Sequence, residues 1–460
     1  MKLIVASLDT LRADRLSCLG YRRGLTPNLD RMAGEGAVFT NAFANDIPTQ
    51  PAHTAVFTGR LGINSGIVSH FFPPAALETA VPWLPSMLEN SGRPTAAVDH
   101  LFVMKDWFIR GYRDYIVPPG RSRSPAEEIN SLAFPWIEEH RHDEFFLFLH
   151  YWDAHIPYVP PAPYRDRFAR TSAAWRDPMI EHKIRARPTY PLFKRNLYDF
   201  LDKVPNLSYI ADLYDAEIAY LDAQIGRLRA KLEELGIIDD TMVVLFGDHG
   251  ENMTEHDAWF DHAGLYDSVT RVPVIIWYPG KVGPARVDAM VQLVDVFPTL
   301  CELLGMDVPG STDGTSLRRV MSGESETQYD AVVLSECTWE AKRAIRTREW
   351  KYIRCYEPGV FERSGPELYH LPTDPNEQVN LIGSRPDIAA GLNSRLQDWI
   401  DLQLRGRTDP FQDVIRQGLP AVARLQSVID EDAALLSKEM DFRFTFGSGN
   451  QADTAVATVA

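Results

Sequence analysis

Asp248 and His249 stand side by side, with Gly250 and Glu251 directly behind them. A carboxylate oxygen next to an imidazole nitrogen suits one divalent metal ion, and the flexible glycine lets both be presented from one turn. An isolated Asp-His pair reads equally well as a structural hydrogen-bonded couple. This one has company: Asp9, and Asp153 with His155, each follow an apolar run.

Those runs are Leu3-Ile-Val-Ala-Ser-Leu8 before Asp9, Phe145-Phe-Leu-Phe-Leu149 before Asp153, and Met242-Val-Val-Leu-Phe246 before Asp248, with a fourth at Val272-Pro-Val-Ile-Ile-Trp277. Short, continuous apolar runs rich in β-branched residues predict strands buried on both faces. Between them, Tyr209 to Leu235 repeats apolar residues every three or four positions with Glu and Lys in the gaps, which predicts a long helix. Strands alternating with helices predict a mostly parallel sheet, and in such sheets ligands bind beyond the carboxyl ends of the strands. Asp9, Asp153, His155, Asp248 and His249 are therefore expected to converge in one crevice.

Proline punctuates Pro157 to Pro191, predicting an irregular excursion that serves either as a lid over the crevice or as a surface loop. After residue 330 the pattern changes to short strands, Ala331-Val-Val-Leu-Ser335 and Trp350-Lys-Tyr-Ile-Arg354, and then a helix from Ile388 to Leu404. This divides the chain into a catalytic domain at 1–330, a smaller subdomain of antiparallel strands and a helix at 331–408, and a helical extension at 409–460. The small-residue stretch 447–460 is expected to be disordered or to dock on a neighbouring subunit in a homo-oligomer.

The 460 residues are 45% hydrophobic and 24% charged, with a net charge of -16. No long basic run interrupts that acidity, which excludes nucleic acid and anionic membrane surfaces as expected partners. Metal ions can still make a pocket locally positive, so a small anionic substrate is compatible with an acidic chain. The four cysteines form no CxxC pattern and read as reduced thiols. Leu3 to Leu8 is too short for a signal or membrane segment, and the expected location is the cytoplasm.

Ser7-Leu-Asp-Thr-Leu-Arg-Ala-Asp14, Thr26-Pro-Asn-Leu-Asp30, Gly247-Asp-His-Gly-Glu251, Tyr266 to Pro273, Val294-Asp-Val-Phe-Pro-Thr-Leu300 and Glu367-Leu-Tyr-His-Leu-Pro-Thr-Asp-Pro-Asn376 together form a specific set. With them the chain resembles the sulfatases of the alkaline phosphatase superfamily over roughly residues 3 to 381. The resemblance implies an alkaline phosphatase-like α/β/α sandwich with a mostly parallel central sheet and a smaller α+β subdomain. It also implies a metal held by Asp9, Asp248 and His249. Many sulfatases carry a second Asp after the first, where this chain has Thr10, a departure that leans away from the usual calcium site.

The nucleophile segment reads Pro48-Thr-Gln-Pro-Ala-His-Thr-Ala-Val-Phe-Thr-Gly-Arg60. Aligned on Pro51 and Thr58-Gly59-Arg60, the sulfatase position that becomes formylglycine holds Thr49, which cannot be converted, and the following Arg position holds His53. The segment is instead similar to the nucleophile loop of nucleotide pyrophosphatase/phosphodiesterases, in which a metal-bound Thr attacks phosphorus. Thr49 could also cap a helix, a role compatible with anion binding at a helix amino terminus. Two sulfatase lysine positions have likewise become His100 and His262, and Phe102 stands where a histidine is usual. His155 falls where sulfatases keep a substrate-contacting histidine. Asp153, His155 and His262 resemble a second metal set, so one or two divalent ions per chain are expected, zinc or manganese before calcium. His256, Asp257 and Asp261 are reserve ligands, and Asp222 reads as structural.

The expected activity is hydrolysis of a phosphate-type ester, a phosphodiester, phosphomonoester or phosphonate monoester, through a covalent Thr49 intermediate. Thr49, His155, His262 and His53 are its candidate catalytic residues, and Thr49 is also a candidate metal ligand. A sulfuric ester hydrolase working without formylglycine and an inactive metal- or anion-binding homologue are the rival readings.

Overall fold

Every residue of the segment Lys2–Leu8 is buried, and its side chains alternate between two cores. Leu3 and Val5 pack with the helices Thr49–Thr58 and Val296–Leu303, whereas Ile4, Ala6 and Leu8 pack with Pro27–Glu35, Ala126–Glu139 and Leu207–Glu234. A strand with apolar residues on both faces can be satisfied only between two layers of helix, and that requirement produces the sandwich. The computed structural model describes residues 1–361 and 363–445; the tail at 447–460, read as disordered or as docking on a neighbour, lies outside them.

The main sheet contains β1 (Lys2–Leu8), β2 (Ala37–Phe43), β4 (Thr95–Val98), β5 (Asp114–Ile116), β6 (Phe146–Tyr151), β7 (Thr241–Phe246), β8 (Arg271–Trp277) and β9 (Ala285–Gln292). Their order is β5-β4-β6-β1-β7-β8-β2-β9, parallel throughout except that β8 runs against both neighbours. The expected α/β architecture with a mostly parallel sheet is the one observed. β1 pairs with β7 in the register Ser7↔Phe246, so Asp9 and Asp248, each two residues further on, leave the sheet at one level.

The second sheet orders β13 (Glu367–His370), β12 (Trp350–Glu357), β11 (Ala341–Thr347), β10 (Ala331–Cys337) and β3 (Asp46–Ile47). β3 comes from the amino-terminal half and pairs parallel with β10, Asp46 with Ser335 and Ile47 with Glu336. Since Thr49 follows two residues later, this sheet buttresses the loop that presents it. The helix Pro386–Leu404 covers the sheet through Leu392, Leu396 and Ile400. Two further helices, Pro410–Gln417 and Pro420–Thr445, return to the front of the molecule.

The segment 157–191 is more regular than its prolines suggest, holding the short helices Ala162–Phe168 and Ile180–Arg185 and the start of Tyr190–Asn196. Pro163 and Pro191 occupy first-turn positions, where the missing N–H costs nothing. All four cysteines are free thiols, and no helix among the described residues is long and apolar enough to cross a membrane.

Candidate active site

Asp9, Asp248 and His249 are wholly buried, and their ligand atoms lie within 4.8 Å of one another. His249 donates from Nδ1 to the Gly250 carbonyl at 2.9 Å, which fixes the tautomer and leaves the Nε2 lone pair facing the carboxylates. Nε2 is 3.4 Å from Asp248 Oδ2 and 4.0 Å from Asp9 Oδ1. Asp248 Oδ1 accepts from the N–H groups of Thr10 and His249, while Oδ2 has no hydrogen-bond partner. Burial pulls the His249 pKa down, and the charges of Asp248 and Asp9 outweigh it, so the net shift is upward.

Thr49 opens the helix Thr49–Thr58 and places Oγ1 3.3 Å from His249 Nε2. It lies on the floor of a cavity of about 490 Å³, 3% exposed, with His155 and His262 beside it and Trp152 and Trp339 in the walls. One turn along, His53 donates from Nδ1 to the Thr49 carbonyl at 2.8 Å, and its Nε2 accepts from Ser7 Oγ at 2.9 Å. Burial and the neighbouring His150 lower its pKa, so it is a neutral imidazole with both nitrogens engaged beneath the nucleophile. Its place is that of a support for Thr49.

His155 donates from Nδ1 to the Ile156 carbonyl at 2.7 Å, and its ring centre is 5.9 Å from that of His262. The His262 ring centre is in turn 4.5 Å from that of His249. Burial, then the charges of His249 and His155, hold His262 well below the usual imidazole range, and its Nδ1 has no hydrogen-bond partner. The three imidazoles thus form a row from the cavity-lining His155 and His262 down to His249 beneath Thr49. Asp153 is turned away from them: its Oδ1 accepts from Ala126 N at 2.9 Å at the start of the helix Ala126–Glu139. It lines an adjoining cavity of about 390 Å³ with Glu217, a cavity that shares His155 and Trp152 with the one over Thr49, and burial pushes its pKa up to about 7. Neither Asp153 nor His155 nor His262 joins the tight group formed by Asp9, Asp248 and His249.

Among the reserve residues, His256 is stacked on Tyr266, Asp257 pairs with Arg187 on the surface, and Asp261 accepts from the backbone of His262. Asp222 accepts from the N–H groups of Asn28 and Leu29 in the first turn of Pro27–Glu35, a structural placement. His100 is buried against Trp152 at a ring separation of 4.5 Å.

No motif in the sequence singles out His150, yet it touches Asp9 directly. His150 donates from Nε2 to Asp9 Oδ2 at 3.0 Å and from Nδ1 to Asp99 Oδ1 at 2.8 Å. Burial opposes its protonation, but these two bonds prevail and raise its pKa to about 9. A histidine inside the otherwise apolar Phe146–Tyr151 is the signal that could have found it. His70 is a second addition, buried in the cavity wall with Nδ1 unpartnered.

Protein-family models and relatives place the chain among known proteins. Residues 2–306 match the Sulfatase model, and residues 254–401 match that described as N-sulphoglucosamine sulphohydrolase, C-terminal. N-acetylglucosamine-6-O-sulfatase of Bacteroides thetaiotaomicron is 24% identical over 83% of this chain and 82% of its own length. Arylsulfatase K of Bos taurus is 26% identical over 58% of this chain, which spans about half (54%) of that protein. The crystal structure of the phosphonate monoester hydrolase of Agrobacterium radiobacter superposes with a TM-score of 0.72 at 21% identity, covering 88% of this chain and 96% of the other. With a family model spanning residues 2–306, the chain belongs to the sulfatase family.

Proposed function

We propose that this member of a family of ester hydrolases acts on phosphate-type esters, with Thr49 as the nucleophile. The observation that carries the reading is the placement of Thr49 Oγ1 on the cavity floor, 3.3 Å from His249 Nε2 and beside the buried Asp9–Asp248 pair. A threonine there cannot provide formylglycine, but its hydroxyl can attack directly.

The donor set fits a divalent cation: two buried carboxylates and an imidazole converge, and Asp248 Oδ2 is buried without a partner. Two buried negative charges this close are costly unless a cation or proton sits between them. Bound by Asp9, Asp248 and His249, a divalent ion supplies charge neutralisation and lowers the pKa of a nearby hydroxyl.

In the proposed reaction the Thr49 hydroxyl gives up its proton to a neutral imidazole, His155 or His262, and Oγ forms a bond to phosphorus as the bond to the leaving oxygen breaks, giving a phospho-threonine. The backbone N–H of Gln50, second residue of its helix, has no intrahelical acceptor and is free to hold a non-bridging oxygen. His155, with Nδ1 committed to Ile156, exchanges a proton through Nε2 with the leaving oxygen and later with the water that cleaves the intermediate. Neutral His262 stands beside it as the alternative proton carrier. His53 fixes the first turn of the nucleophile helix.

Thr49→Ala is expected to lower hydrolysis of a panel of aryl phosphates, phosphonates and sulfates by at least about a thousandfold while leaving the thermal midpoint unchanged. Near-wild-type turnover by the purified variant would overturn the mechanism. The names of the curated relatives favour a second reading, hydrolysis of sulfuric esters with Thr49 as a plain nucleophile. Relative kcat/KM on matched aryl sulfates and phosphates discriminates the two, and a preference for sulfate would select the second.

A further inference from the structure

The outer wall of the Thr49 cavity is built by the carboxyl-terminal helix Pro420–Thr445, whose residues Pro420, Ala421 and Arg424 line it. That helix begins beyond both family models, the second of which stops at residue 401. It is firmly seated: Ala421, Leu425 and Val428 pack on Trp339, Ala258 and Ala263, and Arg195 reaches across to Glu431 and Asp432. Arg424 is thereby carried to the rim of the cavity. Its guanidinium lies 5.7 Å from the centre of the Phe71 ring, and its charge is felt by His70 and Asp261 in the same wall.

A second guanidinium, Arg123, lines the same cavity and lies 4.5 Å from the centre of the Phe200 ring. Both arginines are exposed, and neither forms a salt bridge with a carboxylate among the described residues; Asp261, in the same wall, is within electrostatic reach of Arg424. Aromatic seats hold the two side chains while leaving their N–H forks unspent, an arrangement suited to bidentate capture of an oxyanion.

Depth separates them from the reacting group. Thr49 and the Asp9–Asp248–His249 cluster are buried at the floor, where a metal ion would meet the charge of the ester being cleaved. Arg123 and Arg424 line the same cavity as Thr49 but are exposed, whereas Thr49 is buried, and Trp152 and Trp339 line it with them. We propose that Arg424 and Arg123 bind a second anionic group on the leaving-group side of the substrate, so that the substrate class is an ester whose alcohol portion itself bears a carboxylate, sulfate or phosphate.

The kinetic part of this proposal rests on the ester-hydrolase reading of the cavity. On the full-length protein, phenyl and 4-carboxyphenyl versions of whichever phosphate, phosphonate or sulfate ester is turned over should respond differently to Arg424→Gln and Arg123→Gln. Each variant is expected to raise KM for the carboxyphenyl ester about tenfold at unchanged kcat, and KM for the phenyl ester by less than about twofold. Arg424→Lys should recover part of the loss. Equal changes for both esters, or none, would overturn the proposal. A binding arm needs no turnover: quenching of tryptophan fluorescence should show 4-hydroxybenzoate binding about tenfold more tightly than phenol, with the difference gone in the double variant. Equal binding of the two probes by the wild-type protein would also overturn it. A protein that binds in this way but cleaves no ester would sink the hydrolase reading and leave this one standing.

Discussion

Each oxygen of Asp9 is engaged by a neighbour: Oδ1 accepts from Thr10 Oγ1 at 2.6 Å, and Oδ2 from His150 Nε2 at 3.0 Å. His150 can donate from both nitrogens only while it is protonated, and Asp99, itself held by Tyr115 and Leu101, keeps it so. Asp99→Asn removes that charge, and His150 then has one N–H for two acceptors, which loosens the orientation of Asp9. The metal affinity of chelator-stripped protein is expected to fall about 10–100-fold, read by competition titration. Unchanged affinity would mean that Asp9 is positioned without His150. At this scale the sequence exposes Asp9, Asp248 and His249 because each ends or follows an unbroken apolar run. It hides His150 and Asp99, because a buried histidine reads the same whether it touches a site or merely satisfies a core. Asp153 shows the converse failure: proximity in sequence to His155 says nothing of direction, and its carboxylate serves the helix Ala126–Glu139 instead.

The strands bring Asp9 and Asp248 to one level, but the turns beyond β1 and β7 must hold them there, and Arg12 links the two. It donates to the Glu251 carbonyl at 2.8 Å, to Glu255 at 2.9 Å and to Asp14 at 2.7 Å. Burial of Glu255 would raise its pKa, but Arg12 outweighs that and holds it down to about 2. A folded-state pKa below the unfolded value near 4.5 gives stability that is present above pH 4.5 and lost as pH falls toward 2. The side chain of Glu255 is 27% exposed, so screening trims the gain. Glu255→Gln is expected to cost on the order of 1–2 kcal/mol at pH 7 in urea unfolding, a gap that narrows between pH 4.5 and 2. A gap independent of pH would assign the loss to packing. Among the elements, the long apolar strands and the helix at 207–234 are legible from periodicity. The edge strand β5 and its neighbour β4 are too short to show a period, and the reversed direction of β8 is decided by connections that local pattern does not record.

At the scale of the whole chain, the second sheet and the extension act on the site from outside. β3 joins the second sheet to the nucleophile loop, and the last helix closes the cavity. β3, two residues long, leaves no pattern in the sequence, and although the extension at 409–460 reads as helical, its seating over the site does not, since the resemblance stops near residue 381. What anchors the extension is Arg343, fully buried on β11, paired through Nη2 with Asp409 Oδ1 at 2.7 Å and stacked 3.9 Å from the centre of the Phe411 ring. Shortening the chain at two points separates closure from anchoring. Ending it after Gly418 removes the cavity wall but keeps Asp409, Phe411 and Val414 in place. The thermal midpoint should fall by a few degrees as Trp339, Ala258 and Ala263 become exposed. Ending it after Thr408 removes the Asp409 carboxylate together with Phe411 and Val414, which cover Arg343, whereas Asp409→Asn in the full chain leaves the guanidinium buried and unpaired, at a cost of about 3–5 kcal/mol. The longer deletion is therefore expected to be much the less stable, and full-length Asp409→Asn should share most of that loss while keeping every apolar contact. If the two shortened chains unfold at the same temperature, the ion pair does not anchor the extension, and its seating rests on the apolar contacts of the last helix alone.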